Sequence, residues 1–230
     1  MNRRQSLGAI LAAVASGFLP GPAKAEECPR ILVTGFGEWG AHKHNPTRDV
    51  IDELSAGGVE AHILPVSFTG SDREFDRLYD QIKPDIVVCL GFSAAVKGFR
   101  IETVAYNKLD QKLSDADNTH PALVIDPVGP DKMMATLPVR QIMRILKKQN
   151  LPVDISQDAG KFVCENTLYH ALRRAGESNP RPMTGFVHIS HPSKDKITLA
   201  QQVQGVKLIL AECEREFKRK PFAQDIKPQI

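Results

Sequence analysis

The sequence is poor in the features that most directly assign a function. It has four cysteines in 230 residues, Cys28, Cys89, Cys164 and Cys213, with no C-x-x-C pair. That is too few for a disulfide scaffold. It has no internal repeat, no low-complexity tract, and no second apolar stretch of the length near its start that could suggest a membrane span. Gly35-Phe36-Gly37 follows an apolar run but lacks the third glycine of a dinucleotide fingerprint, and no Lys-Ser/Thr of a phosphate loop accompanies it, so nucleotide binding is not indicated. His42, His44, His170, His188 and His191 lack the spacing of a zinc site, so no metal is expected. No cofactor is expected either.

What is present begins with an export signal. Arg3 and Arg4 precede an apolar stretch over 7–19, and Ala23-Lys24-Ala25 supplies small residues where a signal peptidase would cut. The stretch is shorter than the roughly 20 apolar residues of a membrane span. Residues 1–25 are therefore read as a signal peptide and 26–230 as one catalytic domain, placed in the periplasm or secreted. Adjacent arginines permit the twin-arginine route, although Ser6-Leu7 leaves the route open. Cleavage takes Lys plus Arg from 30 to 27, against 27 Asp plus Glu. A neutral chain gives no reason to expect nucleic acid as a partner, and no membrane association is expected after cleavage. In an oxidising compartment, Cys28 and Cys213 are the pair best placed for a bridge, because Cys89 lies in an apolar strand.

Apolar runs alternate with amphipathic stretches along the rest of the chain. Strands are predicted over 30–36, 59–66, 85–90, 100–106, 153–155 and 183–189. Helices are predicted over 47–56, with Thr47 as cap, and over 71–83, 138–149, 161–175 and 196–219. Residues 108–129 are polar and aperiodic, a long functional loop. This order implies a three-layer α/β/α sandwich with a twisted, largely parallel sheet and its sites at the carboxyl ends of strands.

Three residues there could carry chemistry. Cys164 follows Ser156-Gln157-Asp158-Ala159-Gly160-Lys161-Phe162-Val163, near a helix start where free N–H groups favour a thiolate and could hold an oxyanion. Taken alone, a cysteine on an apolar helix is more often a small buried hydrophobe. His188 ends an apolar strand, where it could move a proton or simply bond a loop carbonyl. Glu102 lies in an otherwise apolar strand, where it could orient His188 or pair with a neighbouring cation.

Four separated segments resemble pyroglutamyl-peptidase I, a family of cysteine peptidases. They are Val33-Thr34-Gly35-Phe36 with Asn45-Pro46, Glu102-Thr103-Val104-Ala105-Tyr106-Asn107, the run from Ser156 to Cys164, and Gly185-Phe186-Val187-His188-Ile189. Gly129-Pro130 and Leu137-Pro138 add weaker support. The resemblance implies that Cys164 attacks the carbonyl after an N-terminal pyroglutamate, that His188 shuttles the proton and that Glu102 orients the imidazole. It also implies a peptide substrate with a blocked or cyclic N-terminus, no metal, and a homo-oligomer.

The departures from that family fall where substrate would sit. The usual Gly-Phe-x-Pro-Phe-Gly-Gly is here Gly35-Phe36-Gly37-Glu38-Trp39-Gly40-Ala41. Phe36, Trp39, Phe92 and Phe162 could still form an apolar wall for a lactam ring. Phe92 stands where some members carry glutamine, Lys112 replaces an arginine, and Ser190 replaces a proline. Glu165 replaces the asparagine after the nucleophile, and its charge would oppose a thiolate. The expected function is a cysteine omega-peptidase removing N-terminal pyroglutamate. Alternatives are a cysteine amidase acting on another small amide and a silent pyroglutamyl-peptide-binding protein.

Overall fold

A computed structural model describes residues 28–40, 44–193 and 197–219. The expected signal peptide over 1–25 and His42 lie outside the described residues. The element order is β1 (Ile31–Phe36), α1 (Pro46–Ala56), β2 (Ala61–Leu64), α2 (Phe68–Ile82), β3 (Ile86–Phe92), β4 (Phe99–Glu102), β5 (Val104–Tyr106) and β6 (Lys132–Met134). It continues with α3 (Val139–Lys148), β7 (Val153–Ser156), α4 (Val163–Gly176), β8 (Met183–Ile189) and α5 (Leu199–Arg219). Among the described residues no helix is long and apolar enough to cross a membrane.

Six strands form one sheet in the order β2-β1-β3-β8-β4-β7, and β5 pairs with β6 in a separate ribbon. Every pairing in the large sheet is parallel except β4 with β8. Successive side chains of a strand face opposite sides, so a sheet buried on both faces needs continuous apolar strands. β3 and β8 have that composition. Val88, Leu90, Val187 and Ile189 join Val50, Leu54, Ile142, Val206 and Ile209 in one core under α1, α3 and α5. Val87, Cys89 and Phe186 join Phe75, Leu78, Leu168 and Leu172 in the other, under α2 and α4. The two cores make the three-layer α/β/α sandwich.

Several expectations are corrected. The strand expected over 100–106 is two strands in two sheets. Thr103 donates its backbone N–H to the Ser156 carbonyl and its own carbonyl accepts from Ala135 N–H, which turns the chain out of the large sheet into the β5–β6 ribbon. Strand β6, which has three residues, is too short to show a period. The cap of α1 is Asn45 and not Thr47: Asn45 accepts from the Thr47 N–H, and Pro46 occupies the first turn, where its missing N–H costs nothing. Thr47 instead accepts the Phe36 N–H at 2.8 Å, tying the first loop to the helix. The bridge between Cys28 and Cys213 is absent. All four cysteines are free, Cys28 exposed and Cys213 sealed in the core.

Candidate active site

The site forms at the carboxyl end of β8. Phe99 and Ile101 of β4 point into the core under α5, so by alternation Glu102 faces the α4 side of the sheet. Residue i and residue i+2 share a face on β8, which puts His188 on the same side as Phe186. The antiparallel register sets Glu102 opposite Phe186 and Arg100 opposite His188, so Glu102 and His188 are diagonal neighbours. A glutamate is long enough to cross that diagonal, and Glu102 Oε1 lies 2.9 Å from His188 Nδ1. Glu102 is 0 % exposed and His188 6 %. Gly91, beside His188 in the register, leaves room for the ring: a Cβ there would sit 2.6 Å from the Phe186 ring and 3.0 Å from His188 Cδ2.

Cys164 reaches the same place from α4. The Ser156 hydroxyl accepts the Asp158 N–H at 3.0 Å, and Asp158 Oδ1 accepts the Gly160 N–H at 2.9 Å. Gly160, at a φ of +94°, turns the chain into the helix in a conformation that other residues rarely adopt. The Asp110 N–H bonds the Lys161 carbonyl, anchoring the long loop to this segment. The helix begins with no capping side chain, and its first intrahelical bond runs from Asn166 N–H to Phe162 carbonyl. The N–H groups of Val163, Cys164 and Glu165 therefore precede the helical ladder and point out of the helix start, where negative charge is favoured.

Burial by itself would push the His188 imidazolium down. The influence of the neighbouring Cys164 and of Glu102 overcomes that burial and raises it to about 9. Glu102 takes Nδ1, which leaves Nε2 for the Cys164 sulfur. The arrangement favours a protonated imidazole flanked by carboxylate and sulfur at neutral pH, as thiol acyl transfer requires.

Beside these three residues stands an aromatic group. Trp39 and Phe162 lie with ring centroids 5.0 Å apart, and Phe68 meets Phe162 edge-on at 5.4 Å. Sequence reasoning misses Phe68, because nothing local distinguishes it from a core residue at a helix start. It is held there by Asp115, which accepts its N–H at 2.9 Å, and by Asn166, which donates to its carbonyl at 3.2 Å. Phe36 is 3 % exposed and belongs to the core cluster on which Trp39 and Phe162 pack, so it offers little surface of its own. Phe92, at the end of β3, meets His191 edge-on at 6.1 Å, apart from the other rings. Glu38 and Lys112 are exposed. Ser190 donates its N–H to the Gly98 carbonyl, a bond that the family's proline cannot make.

Glu165 is 0 % exposed. One carboxyl oxygen accepts the Tyr106 N–H, and the other is buried without a partner. Burial raises its proton affinity to about 7, against the opposing pull of the Tyr106 and Ala159 backbone. Among the described residues no cluster of three potential metal ligands occurs. The rings of His44 and His191 do come within 5.9 Å, but His44 is engaged by Asp49 at 2.8 Å.

A family model described as pyroglutamyl peptidase matches residues 29–209. The chain belongs to the pyroglutamyl peptidase family. The pyrrolidone-carboxylate peptidase of Chromobacterium violaceum is 32 % identical over 194 residues, covering 77 % of this chain and 89 % of that protein. That of Gloeobacter violaceus is 31 % identical over 195 residues, covering 79 % and 95 %. A mutant pyrrolidone carboxyl peptidase from Pyrococcus furiosus superimposes with a TM-score of 0.76 at 25 % identity, covering 81 % of this chain and 98 % of the other. The pyroglutamyl peptidase match spans all three candidate catalytic residues, Glu102, Cys164 and His188.

Proposed function

We propose that this protein is a cysteine omega-peptidase that hydrolyses the bond after an N-terminal pyroglutamate. The observation that carries the reading is the buried Glu102–His188 hydrogen bond of 2.9 Å, with Cys164 close enough to raise the proton affinity of the same imidazole. In this reading the Cys164 sulfur attacks the carbonyl of the pyroglutamyl residue. The carbonyl π electrons move onto oxygen, and the N–H groups at the start of α4 stabilise the oxyanion. His188 gives its Nε2 proton to the leaving amine as the C–N bond breaks. It then takes a proton from the water that cleaves the thioester, and Cys164 is regenerated. Glu102 holds the imidazole in orientation and offsets its positive charge. Trp39 and Phe162 suit a flat, neutral lactam. A groove of about 550 Å³ lined in part by Tyr106, Leu123, Val124 and Lys161 opens beside the nucleophile segment and has room for the rest of a peptide.

The test is release of dye from a pyroglutamyl amide of a fluorescent amine by reduced wild type and by Cys164→Ala. Equal release by both would overturn the reading. A cysteine amidase for another small amide is the second reading, favoured by Phe92 where some relatives carry glutamine. A panel of aminoacyl amides separates the two. Tight pyroglutamyl-peptide binding without turnover would instead mark a silent binding protein.

Export of the chain to the periplasm, or its secretion, after cleavage of residues 1–25 belongs to the same proposal. Its support is the pattern of charged, apolar and small residues there, and N-terminal sequencing of the protein from the periplasmic fraction tests it. Self-association is supported by apolar surface on the long loop, where Leu123, Val124 and Val128 are exposed. Light scattering across concentration tests it.

A further inference from the structure

The residue after the nucleophile is the least expected in the site. Glu165 has no solvent exposure, yet it has a carboxyl oxygen with no partner. A buried carboxylate normally has both oxygens satisfied or a cation beside it. Here the two charges that act on it, Asp158 before α4 and Glu102 on β4, are both negative. Among the described residues the pull that opposes them comes from the Tyr106 and Ala159 backbone, and no cation of a neighbouring element joins it. From β5 comes only the Tyr106 main-chain N–H. His188 of β8 is engaged by Glu102 and Cys164. Cys89 of β3 is buried and Lys132 of β6 is exposed. Asp72 and Asp76 of α2 are taken up by Asn166, His170 and Arg174.

We propose that Glu165 is a positioning residue that serves as a neutral carboxylic acid, and that its ionisation switches the site down. The neutral acid keeps one oxygen as acceptor for the Tyr106 N–H, which ties β5 to the first turn of α4. Its protonated form places no charge at the unpartnered oxygen. Release of that proton to solvent places a carboxylate one residue from Cys164, in a region of low dielectric, against both the thiolate and the oxyanion. The residue would thereby limit activity in neutral to alkaline surroundings and release it in mildly acidic ones.

This rests on Cys164 being the nucleophile, and the experiment separates the two claims. The rate of Cys164 alkylation by iodoacetamide needs no substrate. It is measured from pH 5.5 to 8.5 in wild type, Glu165→Gln and Glu165→Asn, together with hydrolysis of a pyroglutamyl amide. The wild-type rates should fall behind both neutral variants above pH 7, by about three- to tenfold at pH 8.5, and match them within about twofold at pH 5.5. A tenfold lag corresponds to about 1.4 kcal/mol added to the barrier for reaction at Cys164. Parallel profiles for all three proteins would overturn the proposal, as would variants that stay folded but lose activity at pH 5.5. If neither variant folds, infrared difference spectra of wild type decide: a protonated-carboxyl band lost between pH 6 and 8 supports it, and its absence refutes it. Alkylation that ignores Cys164 would count against the nucleophile and leave the infrared result to judge Glu165.

Discussion

Glu102 and His188 meet at 2.9 Å across the antiparallel pair of the large sheet, 86 residues apart in sequence. The carboxylate and the Cys164 sulfur together outweigh the burial of the imidazole and hold it at about 9. Replacing Glu102 by Gln keeps the shape and removes the charge. We expect kcat/KM for a pyroglutamyl amide to fall at least about a hundredfold. The His188 titration, followed by NMR, should move down. The stability that this interaction contributes is present in full below the ordinary histidine value of 6.5 and is lost as pH rises through about 9, because the unfolded chain then gains on the native one. Thermal melts of wild type should therefore drop between pH 7 and 9.5 more than those of Glu102→Gln.

Gly91 leaves space for the His188 ring. A methyl group there would stand 2.6 Å from the Phe186 ring and 3.0 Å from His188 Cδ2. Gly91→Ala should lower kcat by about tenfold or more through misplacement of the imidazole and cost about 1–3 kcal/mol from overpacking. Paired kinetics and denaturant titration check both.

Trp39 and Phe162 lie with ring centroids 5.0 Å apart and their planes tilted by 41°. Truncating either to Ala should raise KM for a pyroglutamyl amide by about tenfold with kcat changed much less, if the rings bind the lactam equally in ground and transition states. A fall in kcat with constant KM would place the rings elsewhere in the cycle.

The four thiols differ in access. Cys89 and Cys213 are buried and Cys28 and Cys164 are not; burial pushes Cys89 up to about 12 and Cys213 also upward. A coloured disulfide reagent should titrate two thiols quickly in the folded protein and four after unfolding. Only one should remain fast in Cys164→Ala.

Much of this arrangement is legible in the linear chain. The sequence predicts a strand over 183–189, and β8 is Met183–Ile189, because an unbroken apolar run of that length between turn signals suits a strand buried on both faces. The order Glu102, Cys164, His188 and the Ser156 to Gly160 turn are equally visible, since glycine, aspartate and serine report local backbone needs. Fold class follows from the alternation of periods.

Long-range pairing is not written in any window. That β4 runs antiparallel to β8 decides whether Glu102 can reach His188, and it depends on how the chain leaves the sheet at Thr103. Phe68 enters the site only because Asp115 and Asn166 hold it there. In the sequence Glu165 reads as a charge opposing the nucleophile, whereas the fold buries it with an unpartnered oxygen and raises its proton affinity to about 7. The sequence by itself determined most of the elements and singled out Glu102, Cys164 and His188 as candidates, because periodicity and turn chemistry are local. Only the tertiary structure decided the partners, the burial and hence the charge states, because solvation and Coulomb energies depend on neighbours brought from distant parts of the chain.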